Sequence, residues 1–408
     1  MKMSIDEQVA LLMQGTQYGD AQLEQAMADE LRERLIEAEK EDRPLRVYCG
    51  FDPTASDLHL GHTVPIRKLR QFQELGHDVS FVIGNFTSLI GDPSDKDNLR
   101  PILKPEEVEQ NAQTYADQAF KILAAEKTKI RHNADWLAKL TFEDLIEIGS
   151  NFTVQQFLTR ENFRKRFDDG RAIFLHEFFY ALMQGFDAFT LRADVQVGGT
   201  DQLFNIVTAA RKLMNAKGVD PNIGIIMGIL PGTDGEVKMS KSLGNHIPIL
   251  ADPKDMYGKV MSIPDSAMGD YFRMITRFTP TEIEAIEAKL ESEEAHPRDV
   301  KMQLAREIVS IYHNDEAAKQ AEASFVRVFQ KSKLPDDMPE YILQEEQTVL
   351  DVLGDSELVS SRSQGRRLLE QNAVSLDEEK LHDPFEPFPG PGVLKVGKRR
   401  FLRVVEGS

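Results

Sequence analysis

The alternation of apolar and polar positions predicts a parallel β-sheet in the first part of the chain. Residues 45–48 and 78–83 are rich in β-branched and aromatic side chains, and the segment between them carries apolar residues at helical spacing. A strand, a helix and a second strand in this order form a βαβ unit, whose two strands lie parallel in one sheet. Residues 194–199 and 223–230 give two further strand patterns. The pattern therefore predicts an α/β fold.

Helical periodicity fills most of the remaining chain. The other segments with helical spacing before residue 220 are 4–40, 105–125, 141–149, 153–168, 174–189 and 201–215. From residue 253 to about residue 330 the strand patterns end, and amphipathic helices rich in Glu, Lys and Ala follow one another. Residues 331–344, which contain prolines and many charges, are predicted to be a linker. The last segment, 345–408, combines two short helical patterns with three short strands, which predicts a small α+β unit.

Composition is that of a globular protein with a large core. The chain has 408 residues, of which 41% are hydrophobic and 28% charged, and this length allows two or three domains. A single cysteine, Cys49, excludes an internal disulfide framework and a cysteine-based zinc site. We see neither a leader-like start nor an apolar run long enough to span a bilayer, so we expect a cytoplasmic protein without a membrane partner.

The charge balance restricts the nucleic-acid partners of the chain. Its formal net charge is −18, which argues against an indiscriminate nucleic-acid binder. A specific RNA can still bind, because such binding depends on local basic patches.

Two histidines mark the start of the helix that follows the first strand. His59 and His62 lie three residues apart, so they share one face of that helix. The free N–H groups and the positive dipole end of the helix favour phosphate there. Gly61 has no side chain, so a flat ligand such as a nucleobase can approach the backbone. By itself a His-x-x-His pair is usually a surface or core pair, but the strand and the Asp52-Pro53 turn before it favour a nucleotide site.

A polar loop follows the strand at 223–230. Its residues 238–242 read Lys-Met-Ser-Lys-Ser and place two ammonium groups and two hydroxyls on a flexible segment. Such a loop can close over a triphosphate and neutralise the pyrophosphate as it leaves. On its own the string is most often a solvated loop. Its combination with the two histidines makes phosphate binding the favoured interpretation.

These two motifs together resemble the two signatures of class I aminoacyl-tRNA synthetases, and the chain is similar to the bacterial tyrosyl-tRNA synthetase family in particular. Four further stretches carry this resemblance, namely 48–54, 89–93, 180–187 and 196–202. The resemblance covers nearly the whole chain, because the tail is similar to the S4-like RNA-binding domain of many such enzymes. It implies a Rossmann-like catalytic domain over 1–246, an α-helical domain for the anticodon region over 247–330, the linker 331–344, and an S4-like domain over 345–408.

The resemblance also implies a role for each matching residue. The residues implied to bind tyrosine are Tyr48 and Asp187 at the phenol, Asp92, Tyr180, Gln184 and Gln202 around the α-ammonium group, and Gln196 close by. The residues implied to bind ATP are Gly50, Asp52, Thr54, His59, Gly61, His62, Gly198, Asp201, Lys238, Met239, Ser240 and Lys241. The residues implied to act in catalysis are Thr54, His59, His62, Lys238 and Lys241, and those implied to bind tRNA are Arg362, Arg366, Arg367, Lys398, Arg399 and Arg400.

One part of this assignment has support from spacing alone. Tyr180, Gln184 and Asp187 lie on one stripe of a helix that is otherwise apolar nearly all round. The alternative is a polar face in contact with solvent. Because the helix is apolar on its other sides, we expect it to be buried, and buried polar groups need partners that a ligand can supply.

The implied reaction is attack of the tyrosine carboxylate on the α-phosphate of ATP, followed by transfer of tyrosine to the 3′ end of tRNA(Tyr). Magnesium is expected to accompany ATP, and we see neither a dedicated metal site nor a sign of a tightly bound cofactor in the sequence. A homodimer is implied by the resemblance alone. The enzyme alternatives are a tryptophanyl-type synthetase and a simple nucleotidyltransferase, and the alternative from another class is an RNA-binding paralogue that has lost catalysis. The pair Tyr48 and Asp187 argues against the first, the loop and tail against the second, and the intact histidines and lysines against the third.

Overall fold

The computed structural model describes residues 3–53, 57–94, 105–327, 338–344, 346–356, 358–359, 361–377, 379–397 and 400–406. The chain divides into two compact units, Met1–Ala321 and Glu322–Ser408. The domain boundary predicted at residue 246 lies inside the first unit. We describe each unit by itself.

A five-stranded parallel sheet is the centre of the first unit. Its strands are β1 (Arg46–Phe51), β2 (Asp78–Ile83), β3 (Thr128–His132), β4 (Val195–Gly199) and β5 (Ile223–Met227). They lie in the order β3-β2-β1-β4-β5, and every neighbouring pair is parallel. The predicted α/β fold with a parallel sheet is therefore confirmed. The edge strand β3 was not predicted. The helix expected over 105–125 ends at residue 119, and β3 follows it from residue 128.

Helices cover both faces of this sheet and continue beyond it. The α-helices up to residue 325 are α1 (Ile5–Met13), α2 (Ala21–Lys40), α3 (Leu60–Glu74), α4 (Pro105–Ala119), α5 (Ala134–Leu137), α6 (Phe142–Gly149), α7 (Val154–Phe157), α8 (Glu161–Asp168), α9 (Leu175–Leu191), α10 (Arg211–Ala216), α11 (Pro253–Met261), α12 (Met268–Ile275), α13 (Pro280–Glu291), α14 (Pro297–Tyr312) and α15 (Asp315–Phe325). Short 3-10 turns occupy Thr87–Leu89, Ala125–Lys127, Thr200–Gln202 and Asp265–Ala267, and Phe204–Ala210 is a π-helix that runs into α10. The helix predicted over 4–40 is thus two helices, and so is the one predicted over 153–168.

Two helices position the side chains of the site. The first, α3, is anchored by two of its own buried basic side chains. Lys68 donates hydrogen bonds to the carbonyls of Leu11 and Gln14, both at 3.0 Å. Arg67 donates to the carbonyl of Thr276 at 3.1 Å. The second, α9, buries most of its length, as the sequence predicts. These contacts and this burial fix the two helices in the fold, and with them the positions of their polar residues.

The sheet order changes direction at its centre. From β1 the chain crosses to β2 and β3 on one side, and it returns to β4 and β5 on the other. Loops that leave the carboxyl ends of β1 and β4 therefore diverge and open a crevice, which is the usual ligand site in such sheets. The polar loops after β1, β2 and β4 all lie at this edge.

The second unit is a small α+β structure. Its sheet has the order β6-β10-β9-β7-β8, formed by Glu340–Leu343, Arg400–Glu406, Gly392–Val396, Val374–Leu376 and Glu379–Lys380. Two helices, α16 (Val349–Asp355) and α17 (Arg362–Glu370), complete it. A common core including Val349, Leu369 and Leu394 joins the helices to the sheet. The predicted α+β class of the tail is correct.

Part of the segment predicted as a linker, 331–344, belongs to the sheet of the second unit. Residues 340–343 form β6, which pairs in parallel with β10. Residues 331–337 lie outside the described part of the chain.

Across the described residues, none of the helices has both the length and the apolar character needed to cross a membrane.

Candidate active site

A buried carboxylate lies at the bottom of the crevice. Asp187 on α9 is 4% exposed, and it accepts hydrogen bonds from the indole Nε1 of Trp136 at 2.7 Å and from the amide of Asn133 at 3.3 Å. Burial raises the pKa of Asp187 to about 7, against the effect of these two donors and with a further contribution from the charge of Asp52. The site thus holds a carboxylate that changes its protonation near neutral pH.

The hydroxyl of Tyr48 lies beside this carboxylate. Tyr48 on β1 is 1% exposed and donates a long hydrogen bond of 3.4 Å to the backbone carbonyl of Gln184. Burial raises its pKa well above the usual range, and the charge of Asp187 raises it further, so the phenol stays protonated. The predicted pair of Tyr48 and Asp187 is therefore brought together by β1 and α9.

Asp52 forms a second polar centre at the end of β1. Its carboxylate accepts hydrogen bonds from Thr87 Oγ1 at 2.7 Å and from the hydroxyl of Tyr180 at 3.0 Å. Gly84, at the end of β2, leaves room for this group, because a Cβ there would overlap both the Asp52 carboxylate and the Thr87 hydroxyl. Gly84 and Thr87 were not predicted, and only their position after β2 could have pointed to them.

A network of amides and carboxylates connects the loops after β2 and β4. The amide of Gln202 donates to Asp92 at 2.5 Å, and the amide of Asn205 donates to Gln202 at 3.0 Å and to Ser94 at 3.3 Å. Arg160 also donates to Ser94, at 2.6 Å. The predicted residues Asp92 and Gln202 are therefore in direct contact, and Asn205 is an additional buried member.

Two further glutamines of the predicted tyrosine site have different surroundings. The side-chain oxygen Oε1 of Gln184 is buried and has no hydrogen-bond partner among the described residues. Such an acceptor is available to a ligand donor such as an ammonium group. Gln196 on β4 is 1% exposed and accepts a hydrogen bond from Asn222 at 3.4 Å, so it lies within the protein beneath the crevice.

The glycine turn after β4 brings the backbone close to Asp201. A Cβ at Gly198 would lie 2.5 Å from Ile206 Cδ1, and one at Gly199 would lie 2.7 Å from Asp201 Oδ1. A larger residue at either position would force the side chain of Ile206 or Asp201 to move. Asp201 is half-buried just beyond the carboxyl end of β4.

The two histidines stack at the N-terminus of α3. The ring centroids of His59 and His62 lie 3.8 Å apart, and the backbone N–H of His59 donates to Nδ1 of His62 at 3.3 Å. Burial, first of all, lowers the pKa of His59 to about 3 and that of His62 to about 4, and the charges of Lys241 and Lys238 add to the effect in both. Both rings are therefore neutral at physiological pH. Because Nδ1 of His62 is an acceptor, its proton lies on Nε2.

The loop with the two lysines is fixed at its base by Asn245. The Asn245 amide donates to Asp234 at 2.6 Å and to the carbonyls of Val237 and Lys238 at 3.4 and 3.3 Å, and its oxygen accepts from the Ser240 N–H at 2.8 Å. Met239 is buried in this base, and its N–H donates to the carbonyl of Leu230 at 3.1 Å. The sequence did not single out Asn245.

The tip of the same loop contacts the segment before α3. Lys241 Nζ lies 3.4 Å from the carboxylate of Asp57. Behind the tip, the N–H of Leu60 donates to the carbonyl of Ile247 at 3.0 Å, and the N–H of Ile249 donates to Leu58 at 3.2 Å. These antiparallel hydrogen bonds connect the two predicted motifs directly.

Cys49 is not part of the reactive surface. Its thiol is buried on β1, and burial raises its pKa above the usual range, with a smaller contribution from Asp201. A protonated, enclosed thiol is a poor nucleophile.

Three predicted residues lie outside the described part of the chain, namely Thr54, Lys398 and Arg399. The other predicted tRNA-binding residues belong to the second unit. Arg362, Arg366 and Arg367 lie exposed on α17, and Arg400 begins β10 and donates to the carbonyl of Leu358.

Comparison with known proteins identifies relatives of this architecture. Residues 40–330 match the family described as tRNA synthetases class I (W and Y). The chain is 45% identical over 406 residues to a tyrosine–tRNA ligase of Desulfotalea psychrophila, covering 98% of each protein. It is 48% identical over 380 residues to a tyrosine–tRNA ligase of Moorella thermoacetica, covering 92% of each.

A solved structure agrees at the level of the fold. The C-terminally truncated mitochondrial tyrosyl-tRNA synthetase of Aspergillus nidulans superposes with a TM-score of 0.63 at 22% identity, over 80% of this chain and 94% of that one.

Proposed function

This chain belongs to the tyrosine–tRNA ligase family of class I tRNA synthetases, and we propose that the residues described above perform the reaction of the family in specific roles. The enzyme activates L-tyrosine with ATP to tyrosyl-adenylate, releases pyrophosphate, and transfers tyrosine to the 3′ end of tRNA(Tyr). No side chain is needed as a nucleophile, because the substrate carboxylate attacks the α-phosphate itself. The protein contributes by positioning the substrates and stabilising charge in the transition state.

Recognition of the phenol is assigned to Asp187 and Tyr48. The observation that carries this proposal is the buried carboxylate of Asp187, held by Trp136 and Asn133 and close to the Tyr48 hydroxyl. A site built to bond a hydroxyl rejects the analogue without it by about 10⁴–10⁵-fold, because its polar groups would remain unpaired. With phenylalanine bound, the polar groups of Asp187 would remain unpaired.

The α-ammonium group is assigned to the polar residues around the upper crevice. The buried Oε1 of Gln184 offers a neutral acceptor, and Asp92 offers a charged one next to Gln202. Tyr180 is held in place by its hydrogen bond to Asp52. Gln196 is buried beneath the crevice and accepts a hydrogen bond from Asn222, so we assign it a supporting role.

ATP is assigned to the surface formed by the first turn of α3, the glycine turn after β4 and the lysine loop. His62 offers its Nε2–H as a neutral donor, and Lys238 and Lys241 supply positive charge for the leaving pyrophosphate. The adenosine would lie against the backbone at the glycines, with Asp201 accepting from the ribose hydroxyls. This part of the site consists of Gly50, Asp52, Gly61, Gly198, Asp201, Met239 and Ser240.

Magnesium is assigned to the ATP itself. Among the residues that the structure describes there is no group of three or more His, Cys, Asp or Glu side chains that could hold a metal ion. Magnesium would arrive with the substrate phosphates, and none of the roles above depends on it.

The tRNA is assigned in part to the second unit. Arg362, Arg366 and Arg367 present exposed guanidinium groups along α17. Guanidinium groups on one helix bind RNA phosphates with an affinity that falls as salt rises. This local charge allows a protein of net charge −18 to bind RNA.

A homodimer is the proposed assembly, and the cytoplasm the proposed location. The first unit exposes large apolar side chains on consecutive elements between residues 142 and 175, namely Phe142, Ile146, Val154, Phe167, Phe174 and Leu175. Exposed apolar clusters of this kind commonly mark protein interfaces. If a second copy covers them, Leu175→Asp will convert the dimer to a monomer in light scattering, whereas Ile342→Asp in the second unit will not.

The test of the reaction is pyrophosphate exchange into ATP, with tyrosine, phenylalanine or tryptophan supplied in turn and tRNA omitted. We expect exchange with tyrosine alone, and its loss in Asp187→Ala. Exchange driven by tryptophan would refute the roles given to Tyr48 and Asp187. Aminoacylation of tRNA(Tyr) by the same preparation then tests the second step.

A further inference from the structure

A third imidazole lies next to the histidine pair. His246 follows the lysine loop, and its ring centroid is 6.1 Å from that of His59, with the two ring planes inclined by 60°. His246 is fixed from both sides, because Asn245 anchors the base of the loop and Ile247 accepts the hydrogen bond from Leu60. Its position is therefore set by both motifs of the site.

Two nitrogens of this cluster are buried without a protein partner. Nδ1 of His59 and Nδ1 of His246 are both inaccessible to solvent, and neither makes a hydrogen bond to any residue that the structure describes. Buried polar atoms in folded proteins almost always have partners. His59 is 6% exposed and His246 is half-buried, so a ligand that reaches the cluster is a candidate partner for these nitrogens.

The charge around the cluster favours an anion as this group. Burial is the main cause of the lowered pKa of each ring, so both rings are neutral, and neutral imidazoles can donate from Nδ1. Lys241 lowers the pKa of both rings through its positive charge, and Lys238 does so for His59. A positive field with two available N–H donors is complementary to a phosphate oxygen.

We propose that His246 is a third phosphate-binding imidazole, which donates from Nδ1 to the triphosphate of ATP alongside His59. This inference rests on the proposed placement of the ATP phosphates at the start of α3. A cavity of about 390 Å³ beside His246 is also lined by Asp57 and Asp255. Lys241 lines this cavity as well and lies 3.4 Å from the carboxylate of Asp57, so the cavity carries both signs of charge. The two Nδ1 atoms without protein partners therefore mark the proposed place of the phosphate oxygen.

The proposal gives the segment after the lysine loop a role in substrate binding. His246 would contact the phosphates only while the hydrogen bonds of Leu60 and Ile249 hold this segment against the start of α3. Closing of the loop and completion of the phosphate site would then be one event. A hydrogen bond to a charged group contributes enough to change kcat/KM by about 10- to 100-fold.

The experiment is steady-state pyrophosphate exchange by the full-length protein, with ATP and tyrosine varied separately. We expect His246→Ala to lower kcat/KM for ATP by about 10-fold or more and to leave the KM for tyrosine unchanged. His246→Asn, whose amide can occupy the place of Nδ1–H, is expected to recover most of the loss. His246→Phe, which fills the space without a donor, is expected to recover none of it.

Two reference variants separate this inference from the assignment beneath it. His382→Asn, at an exposed position of the second unit, is the control and should behave as wild type. If His59→Ala impairs the use of ATP while His246→Phe equals wild type, His246 is only a packing residue and the inference is wrong. If His59→Ala itself leaves the use of ATP unchanged, the placement of the phosphates is wrong as well. Should His246→Ala fail to fold by circular dichroism, the comparison of the Asn and Phe variants decides alone.

Discussion

Replacing Trp136 by Phe tests how the tyrosine site keeps its carboxylate charged. The indole donates the shorter of the two hydrogen bonds to Asp187, at 2.7 Å, and the substitution removes this donor while keeping an aromatic ring. The bond from Asn133, at 3.3 Å, remains. We therefore expect the Trp136→Phe variant to fold but to hold the Asp187 anion less well.

The magnitude follows from the pKa of the carboxyl group. Asp187 has a pKa of about 7, so about half of the free enzyme carries the anion at that pH. Loss of a hydrogen bond to a charged group costs about 1.5–3 kcal/mol, and about 1.4 kcal/mol corresponds to one pH unit, which raises the pKa to roughly 8–9. The anion then falls to roughly 1–10% of the enzyme at pH 7, and kcat/KM for tyrosine falls roughly 5- to 50-fold.

The assay is pyrophosphate exchange with tyrosine and with phenylalanine between pH 6 and pH 9. Because the raised pKa means that Asp187 gains its proton as pH falls, the wild type should lose activity with tyrosine below about pH 7. The Trp136→Phe variant should begin to lose activity with tyrosine at a higher pH than the wild type. Its activity should rise again as the pH approaches 9. Phenylalanine has no hydroxyl to bond, so it should give no exchange at any pH in this range.

A control variant distinguishes the hydrogen bond from packing. Phe189 packs in the same apolar cluster as Trp136 but carries no donor, so Phe189→Leu should not change the pH profile. A loss of activity with tyrosine in Trp136→Phe that is equal at every pH would refute the reasoning.

Three further predictions concern other parts of the site. Gly84→Ala places a methyl group against the half-buried carboxylate of Asp52, so we expect at least a tenfold loss of kcat/KM for ATP and a lower melting temperature. Gly149→Ala, which meets no atom within 4 Å, should change neither measurement. Asn245→Ala removes the anchor of the lysine loop. We expect a higher KM for ATP in pyrophosphate exchange and an unchanged KM for tyrosine. Equal changes in both KM values would contradict the anchoring role. The double variant Arg366→Gln, Arg367→Gln should raise the KM for tRNA and reduce its dependence on salt in aminoacylation, with normal pyrophosphate exchange; an unaltered salt dependence would exclude these side chains as phosphate contacts.

The sheet was predictable where its strands are apolar. β2 forms over the residues predicted for it, because apolar side chains dominate a short segment between two polar ends. β3 was missed because it lies at the edge of the sheet and alternates half-buried with exposed positions, with Lys129, Arg131 and His132 among its five residues. Such a segment has no apolar run, and only its neighbour in the sheet makes it a strand. The same reason applies to β6, whose half-buried positions alternate with exposed ones.

The site was predictable where its residues belong to contiguous motifs. His59 and His62 could be identified from their spacing and their place after a strand, and the lysine loop from its composition. Trp136 and Asn133 could not, because each lies about 50 positions from Asp187 in the sequence and meets it only after β3 and α9 have packed. Gly84 and Asn245 were missed for a related reason. Each is important because of the groups of a neighbouring loop that contact it, and these contacts do not show in the sequence.

The single cysteine makes the central strand accessible to a chemical measurement. Cys49 is 3% exposed on β1, which has a paired neighbour on each side, and burial keeps its thiol protonated. Thiol reagents react with the thiolate, so labelling in native buffer has to wait until β1 leaves the sheet. The rate of labelling therefore reports the opening of the structure that supports both substrates, without any introduced probe. Tyrosine and ATP, which we propose to bind at the end of this strand, should slow that labelling in proportion to their occupancy.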